Sequence, residues 1–330
     1  MALDAASFDR LSGALLVNKH EGTSSFGVIE ELQRELASRF QMKRKDFPKM
    51  GHGGTIDPFA TGLLVVCVGK AVKLARYFLG GTKSYEGTML FGKTTVPGDP
   101  TSPVSETSEV LPGSLEDIAD MAASLVKQPY LQKPPMHSAK KKNGKPLYEL
   151  ARAGIEIDRE PKLCRLFEFR FLSYEKPRAR FRIVCSSGTY VRTLAQDFGR
   201  LLGTVAMLEA LSRTSSGAFN VANSSTISDI RTAMNEGRAW DELPCWLPFD
   251  RMLDGYQRAE ATSEEALALQ RGRQNVLFNI LRRSSHPDDA GHAAVQGQES
   301  CVAIHESGHL IAVARKDDEK GWHIERVFEE

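Results

Sequence analysis

The chain has little of several features that mark special classes of protein. Its 330 residues include only five cysteines, which are widely spaced and form no Cys-x-x-Cys pair, so we expect reduced, structural thiols in a cytoplasmic protein. No apolar run approaches the roughly 18 residues of a membrane-spanning helix. The first ten residues carry two aspartates and no apolar core, so we expect no signal peptide. The formal net charge of +1 does not by itself indicate a nucleic-acid partner.

Basic residues are nevertheless concentrated in two short stretches of the chain. The first comprises Arg39, Lys43, Arg44, Lys45 and Lys49, and the second comprises Lys140, Lys141, Lys142 and Lys145. Clusters of this kind can hold phosphate groups. For either cluster alone, a solvated loop is the commoner explanation. Binding to nucleic acid therefore has to be argued from other residues.

The hydrophobic pattern predicts an α+β fold. Leu63 to Val68 is a continuous apolar run typical of a buried strand, whereas 166–174 and 180–185 alternate charged and apolar residues, as half-buried strands do. Apolar residues at helical spacing follow Ser25 and recur between residues 188 and 203. Because strands and helices are intermixed without regular βαβ units, we expect a mixed, mainly antiparallel central sheet flanked by helices.

The character of the sequence changes close to residue 250, and we place a domain boundary there. Residues 1–250 are expected to form the main domain, and 251–330 a small β-rich domain. In this tail the pattern predicts a short helix and four strands, at 264–269 and at 275–281, 301–304, 310–314 and 322–328. At about eighty residues, the tail lies within the usual size range of a domain.

One carboxylate occurs in an unusual setting. Asp57 lies in the segment G-H-G-G-T-I-D-P-F-A-T-G at 51–62, directly before the apolar run that starts at Leu63. The glycines permit backbone conformations closed to other residues, including the close approach of a ligand. Taken alone, Asp-Pro in a glycine-rich stretch is more often a turn than a catalytic site. His52, taken alone, is likewise more often a hydrogen-bonded loop residue.

Two further segments combine aromatic and charged residues with turns. Tyr85 opens a predicted strand, and its ring is either a core aromatic or a platform on which a flipped-out base stacks. In the segment S-S-G-T-Y-V-R-T at 186–193, a helix begins with Tyr190 and Arg192 in its first turn. An arginine at a helix N-terminus opposes the helix dipole, so a carboxylate partner is the natural compensation. A routine surface ion pair is the simpler interpretation.

Taken together, these segments resemble the motifs of the TruB family of RNA pseudouridine synthases. The resemblance extends over about residues 13–230, with a weaker match in the tail. The 51–62 loop resembles the family's signature loop. The family's N-terminal motif is resembled by L-L-V-N-K at 15–19 and G-T-S-S at 22–25. Its second and third conserved blocks are resembled by residues 132–154 and 188–192, and its Leu-x-Arg segment by residues 208–213. Several long motifs in the right order argue against a chance match.

The resemblance implies a pseudouridine synthase fold and the isomerisation of uridine 55 in the TΨC arm of tRNA. In this reaction the bond from uracil N1 to ribose C1′ breaks, the base turns, and it rejoins through C5 without a cofactor. Asp57 is implied to be the catalytic carboxylate, acting as nucleophile or base. Arg192 is implied to pair with it, because a nearby guanidinium favours the ionised carboxylate.

The same resemblance assigns four residues to substrate binding. Tyr85 would stack on the target uracil, and Tyr190 would lie beside the sugar. His52 would help to open the tRNA loop, and Leu211 would line an apolar pocket that keeps water from the reacting sugar. Stacking on an aromatic ring offsets part of the energy that is needed to flip the base.

The expected partner is tRNA, bound through its TΨC stem-loop. Lys140 and Lys145 are expected to contact its phosphates, and the tail, which is PUA-like by resemblance, to help grip it. We expect a cytoplasmic monomer that needs no metal, cofactor or membrane. The alternative is a non-catalytic protein that binds or folds tRNA on the same fold. The joint presence of Asp57, Tyr85, Tyr190 and Arg192 argues against that alternative.

The chain departs from the family pattern at a few positions. Gly53 stands where the family usually has threonine, and Ile56 where it often has leucine; we expect neither to remove function. The larger departure is at 92–99, which lacks the family's T-x-T-x-D-x-x-G pattern. We expect that loop to alter RNA contacts rather than chemistry. Residues 38–50 form a longer segment than usual, which could add phosphate contacts.

The string H-E-S-G-H at 305–309 matches the H-E-x-x-H pattern of zinc metalloproteases. That chemistry needs a helix, because only a helix turns both histidines towards one metal. Here two apolar runs flank the string, and Gly308 lies inside it. Two apolar runs joined by a short link with glycine are typical of a β-hairpin. We therefore expect no zinc site.

The purified protein should accordingly contain no stoichiometric zinc when its metal content is measured by mass spectrometry. A variant with both His305→Ala and His309→Ala gives the background of adventitious metal, and it should match the unchanged protein. One zinc ion per chain that the double variant loses would contradict the hairpin assignment.

Overall fold

The computed structural model describes residues 11–40, 43, 46–136, 141–142, 145–147, 150, 154–155, 157–284 and 301–328. The strands within these residues are β1 (Gly13–Lys19), β2 (Met50–His52), β3 (Thr61–Val68), β4 (Lys83–Phe91), β5 (Lys93–Thr95), β6 (Val104–Thr107), β7 (Tyr130–Gln132), β8 (Lys141–Lys142), β9 (Lys145–Pro146), β10 (Lys162–Cys164), β11 (Leu166–Glu175), β12 (Arg178–Cys185), β13 (Ala206–Ser216), β14 (Phe219–Asn220), β15 (Trp246–Pro248), β16 (Gln257–Glu260), β17 (Cys301–Glu306), β18 (His309–Asp317) and β19 (Gly321–Val327).

Helices alternate irregularly with these strands. The α-helices are α1 (Ser25–Phe40), α2 (Ala75–Gly80), α3 (Leu115–Val126), α4 (Val191–Leu201), α5 (Ile227–Asn235), α6 (Ser263–Gln270) and α7 (Leu277–Ser284). Short 3₁₀ helices occur at Gly69–Leu74, Val221–Asn223, Trp240–Glu242, Phe249–Arg251 and Gln274–Val276. No helix in the described ranges is long and apolar enough to cross a membrane.

A mixed nine-stranded sheet forms the centre of the main body. Its strand order is β11-β12-β4-β13-β3-β1-β15, with β2 paired to β3 and β14 paired to β13. The β13–β3 pair is parallel, and the other pairs are antiparallel. The prediction of an α+β fold with a mixed, mainly antiparallel central sheet is therefore confirmed. Residues 62–68 of β3 are buried, as the apolar run at Leu63 to Val68 predicts.

Two amphipathic helices cover this sheet as their sequence pattern predicts. The buried face of α1 presents Val28, Ile29, Leu32 and Leu36. Ser24 caps this helix, because its Oγ accepts a hydrogen bond of 2.9 Å from the backbone N–H of Gly27. In α4, Phe198 packs against the rings of two phenylalanines of β11, with a centroid distance of 5.1 Å to Phe169. This packing holds α4 against the sheet.

The tail forms a separate four-stranded sheet in the order β16-β17-β18-β19. The predicted hairpin is confirmed, because β17 and β18 pair in antiparallel fashion across the turn at Ser307 and Gly308. His305 lies on β17 and His309 on β18, not on a helix. Among the described residues, no group of three or more His, Cys, Asp or Glu side chains is placed to hold a metal ion.

One strand predicted for the tail is wrong. Residues 275–281 were expected to be extended, but Gln274–Val276 is a 3₁₀ helix and the rest belongs to α7. Leu277 and Ile280 are the buried residues of that helix, and they lie one helical turn apart. A short apolar run cannot distinguish a strand from a buried helix by its periodicity alone. Packing against the tail sheet decided the outcome.

Alternate residues of the tail sheet face two different cores. Ala303 and Val313 belong to the large cluster of buried residues that also contains the core of the main body. Val302, Ile304 and Ala312 belong to a smaller cluster with residues of α6 and α7. Successive strand residues point to opposite faces, so one face of the tail sheet packs against the main body. The expected division into domains at 1–250 and 251–330 stays a prediction.

Candidate active site

The loop that carries Asp57 connects two neighbouring strands of the central sheet. It leaves β2 at His52 and enters β3 at Thr61. Gly54 and Gly62 have positive φ values of 128° and 100°, which side chains rarely allow. At Gly62, a Cβ atom would lie 2.4 Å from the carbonyl oxygen of Arg213, so β13 can approach β3 only because this residue is glycine. The glycines are therefore needed for two reasons: the loop backbone turns through positive φ values, and β13 approaches β3 closely.

The structure brings Asp57 and Arg192 into direct contact. Arg192 Nε donates to Oδ2 of the carboxylate at 2.9 Å, and Nη2 donates to Oδ1 at 2.8 Å. This two-point geometry suits the planar guanidinium and holds the carboxylate in a defined plane. The arginine side chain is 3% exposed, whereas that of Asp57 is 32% exposed. A substrate can therefore reach the carboxylate while the arginine stays behind it.

A second carboxylate contacts the same arginine. Arg192 Nη1 donates to the backbone carbonyl of Pro97 at 2.8 Å, and it lies 3.4 Å from Oδ2 of the buried Asp99. The turn that presents Asp99 is held by Thr95, whose Oγ1 accepts from the backbone N–H groups of Gly98 and Asp99 at 3.1 Å each. The segment therefore touches the ion pair of Arg192 and Asp57, although its motif departs from the family pattern. That the departure alters RNA contacts rather than chemistry stays a prediction.

Two buried side chains hold the backbone on either side of Asp57. Ser25 Oγ accepts from the N–H of Ile56 at 2.8 Å and lies 3.2 Å from its carbonyl oxygen, to which it donates. Lys19 Nζ donates to the carbonyl of Pro58 at 3.2 Å, and to the carbonyls of residues 20 and 23. Burial lowers the pKa of Lys19 to about 8, and the charge of Asp57 opposes this shift. Both residues belong to the N-terminal motif, but their contacts could not be predicted from it.

Arg213 connects the Asp57 loop with Tyr85. It is almost fully buried, and its Nε and Nη2 donate to the carbonyls of Leu63 at 2.8 Å and Gly54 at 3.1 Å. It lies opposite Tyr85 in the pairing of β13 with β4, and its guanidinium interacts with the tyrosine hydroxyl. Burial raises the pKa of Tyr85 to about 12, although Arg213 opposes this shift. The tyrosine is therefore neutral at physiological pH.

Two buried apolar residues lie near Tyr85 on the same face of the sheet. Leu211 is buried on β13, and it lies opposite Gly87 of β4. Ile183 of β12 is the register partner of Tyr85 on the other side. Directly opposed residues of a sheet share one face, so Leu211 and Ile183 flank the half-buried ring. This arrangement can hold a flat aromatic ligand and exclude water from it.

His52 ends β2 at the edge of the same loop. The imidazole is half-buried, and its Nδ1 atom is buried without a hydrogen-bond partner in the described part of the chain. Burial, and to a smaller extent the charge of Arg213, lowers the pKa of His52 below its usual value. The ring is therefore uncharged at neutral pH.

Tyr190 is held through its backbone directly before α4. Gln132, which is almost fully buried, accepts from the N–H of Tyr190 at 2.7 Å and donates to its carbonyl at 2.9 Å. The ring is half-buried, two residues before Arg192. Lys140 lies outside the described residues, as does the side chain of Lys145. The structure therefore assembles Asp57, Arg192, Tyr85, Tyr190, His52 and Leu211 around the β3–β13–β4 part of the sheet.

Ser25→Ala should slow the uridine isomerisation that the resemblance implies, by about tenfold, because a loosened Ile56 peptide lets the carboxylate leave its productive position. The rate of a single turnover at saturating enzyme should fall while the KM for RNA changes little. Ser24→Ala is the matched control, since this neighbouring serine caps α1 without touching the loop. Equal rates for Ser25→Ala and Ser24→Ala would show that the contact of Ser25 with Ile56 is dispensable.

Comparison with known families gives consecutive matches along the chain. Residues 39–191 match the model of the TruB family pseudouridylate synthase N-terminal domain. Residues 192–254 match that of the tRNA pseudouridylate synthase B C-terminal domain. The second match begins in α4 and contains β13, which pairs with β4 and β3 from the first match. The two matched regions therefore build one sheet.

Named relatives cover most of the chain. The tRNA pseudouridine synthase B of Bordetella avium (strain 197N) is 41% identical over 242 residues, which cover 72% of this chain and 95% of that protein. That of Dechloromonas aromatica (strain RCB) is 34% identical over 313 residues, which cover 92% of this chain and 94% of the relative. The second alignment extends into the tail.

A solved structure shows the same fold. A chain in the crystal structure of a Cbf5-Nop10-Gar1 complex superposes with a TM-score of 0.67 and 19% sequence identity, covering 99% of this chain and 87% of that one. The fold predicted by resemblance is confirmed. With matches over 39–254, relatives above 30% identity and the motif residues assembled at one site, the chain belongs to the TruB family of pseudouridine synthases.

Proposed function

We propose that the chain is a tRNA pseudouridine synthase that isomerises uridine 55 of the TΨC arm. The observation that carries this function is the two-point ion pair between Arg192 and Asp57, in which the arginine is buried and the carboxylate is accessible. A carboxylate that must act as nucleophile or base has to stay ionised. The adjacent guanidinium supplies that condition without blocking the side of the carboxylate that faces solvent.

The geometry suits the chemistry of base isomerisation. Each carboxylate oxygen of Asp57 accepts one hydrogen bond from Arg192 and keeps further lone-pair capacity for a reacting atom. The backbone on both sides is held by Ser25 and Lys19, so the carboxylate does not have to be ordered when the substrate arrives. Breaking the glycosidic bond and rejoining it through C5 leaves the composition of the uridine unchanged, and these residues perform it without an external reactant.

The surface beside Tyr85 is suited to a flipped-out uracil. The ring offers a stacking face, and the apolar Leu211 near it on the same face of the sheet is suited to keeping water from the exposed sugar. Arg213 is the β13 residue directly opposite Tyr85, so its side chain lies next to the ring on the same face of the sheet. Tyr190, positioned by Gln132 directly before α4, is assigned to the sugar side.

His52 is assigned to the opening of the RNA loop. An uncharged, half-buried imidazole at the edge of the Asp57 loop can form a hydrogen bond with a base as the target nucleotide leaves its stack. The chemistry of all these residues favours catalysis over the alternative of a non-catalytic tRNA-binding protein. Such a protein would need neither the accessible carboxylate nor its buried partner.

Asp57→Asn should lower turnover by about 10³-fold or more, because the amide is neither a nucleophile nor a base. Pseudouridine mapping on unmodified tRNA measures both the extent and the position of the reaction. Asp241→Asn is the control, since Asp241 is an exposed carboxylate in the 3₁₀ helix Trp240–Glu242. Full turnover by Asp57→Asn would refute the mechanism. If wild type converted other uridines and left position 55 unchanged, the proposed target would be wrong.

Lys140→Ala and Lys145→Ala should each weaken tRNA binding more than they slow the chemical step. Each should also reduce the slope of log K against log salt concentration by about one. Titration of binding between low and moderate salt, together with single-turnover rates at saturating enzyme, separates the two effects. Lys127→Ala removes an exposed lysine at the C-terminal end of α3 and is the control. If both variants kept a salt slope as steep as that of wild type, neither lysine would contact a phosphate.

A further inference from the structure

The tail sheet contacts the main body through a buried polar cluster as well as through its apolar face. At its centre is Glu325 of β19, whose side chain is 12% exposed. The hydroxyl of Tyr77 donates to Oε2 of this carboxylate at 2.6 Å. Arg76 Nη1 lies 2.8 Å from Oε1, and Arg315 Nη1 lies 3.5 Å from the same atom. Since Arg76 and Tyr77 belong to α2, the cluster joins the tail to that helix.

Tyr77 is held at its backbone as well as at its hydroxyl. Tyr256, in the segment that leads into β16, donates from its hydroxyl to the carbonyl of Tyr77 at 2.6 Å. The two rings meet edge to face with centroids 6.0 Å apart. Burial, and to a smaller extent the hydrogen bond to Glu325, raises the pKa of Tyr77. The hydroxyl therefore stays protonated and acts as a donor. The hydroxyl and the backbone carbonyl of Tyr77 are therefore both hydrogen-bonded to residues beyond position 250.

The same helix packs directly on the loop that carries the catalytic aspartate. A Cβ atom on Gly53 would lie 2.8 Å from Cβ of Phe78, so the loop backbone rests against the residue that follows Tyr77. The carbonyl of Phe78 also accepts from the buried Nζ of Lys83 at 2.8 Å, two residues before Tyr85. Helix α2 thus contacts the Asp57 loop and the start of the strand that carries the stacking tyrosine.

We infer that Tyr77 is a positioning residue for the isomerisation, through which the tail sheet fixes the loop of Asp57. Glu325 accepts a hydrogen bond from Tyr77, and Phe78 of α2 packs against Gly53. The carbonyl of Gly54, the next residue in the loop, accepts a hydrogen bond from Arg213. The inference rests on the proposed function and extends it. The tail then contributes to the chemical step itself, in addition to any contact that it makes with tRNA. Loosening α2 should widen the distribution of loop positions, and a misplaced reacting group lowers the rate steeply.

Tyr77→Phe tests this inference, because it removes only the hydroxyl from a buried ring. The rate of a single turnover on unmodified tRNA should fall by about fivefold while KM stays close to that of wild type. Glu325→Gln should have a similar effect. The double variant should be scarcely slower than either single variant, because both changes remove the same contact and their effects are not additive.

Two matched controls separate positioning from general stability. Tyr174→Phe removes a tyrosine hydroxyl that donates to the carbonyl of Pro112 at 3.0 Å, away from α2. Glu265→Gln removes a carboxylate that is 13% exposed and paired with Arg283, a contact contained within the tail. Both controls should turn over at the wild-type rate.

Amide hydrogen exchange gives a readout that does not depend on activity. The N–H of Gly53 donates to the carbonyl of Val65 at 2.9 Å, so its exchange reports on the opening of the loop. Exchange in the 51–57 peptide should accelerate by about fivefold in Tyr77→Phe and stay unchanged in Tyr174→Phe.

The outcomes separate this inference from the proposed function. Faster loop exchange in Tyr77→Phe together with an inactive wild type would refute the proposed function and preserve the link between tail and loop. Unchanged exchange and an unchanged rate, with only a lower Tm, would make the cluster a simple stabilising contact and overturn the inference. A raised KM with an unchanged rate would overturn it too, since the tail would then act through RNA binding alone.

Discussion

The rest of the site depends on the burial of one guanidinium. Arg192 lies beneath the carboxylate of Asp57, and a charge in such a place is stable only when its hydrogen bonds and its charge are both satisfied. The guanidinium is satisfied by the carboxylates of Asp57 and Asp99 and by the backbone carbonyl of Pro97. Because these groups come from two separate segments and Arg192 itself comes from a third, the arginine fixes the loop before β3, the turn after β5 and the start of α4 relative to one another.

Around this pair, the protein orders the Asp57 loop through its backbone. Ser25 holds the peptide before Asp57, Lys19 holds the carbonyl after it, and Arg213 holds the carbonyl of Gly54. A loop with several glycines has little conformational preference of its own. Buried donors aimed at its carbonyls remove that freedom before the substrate binds, which is the arrangement that a reaction with a displaced base requires.

Much of the fold followed from local pattern, and the exceptions have a common cause. Buried strands such as β3 and the amphipathic helices α1 and α4 carry a periodicity long enough to be unambiguous. The run that includes Leu277 and Ile280 is too short, so packing against the tail sheet made it helical. The motif at 92–99 likewise does not reveal that Asp99 turns back towards Arg192.

By itself, the sequence determined which residue types the site would contain and the family to which they belong. Asp57, Tyr85 and Arg192 could be named from their motifs, because local turns and helix starts are encoded in neighbouring residues. Only the tertiary structure decided which distant groups meet them. The contacts of Asp99 with Arg192 and of Glu325 with Tyr77 join residues far apart in the chain. Such contacts depend on how the sheet and helices pack, and no local pattern records that packing.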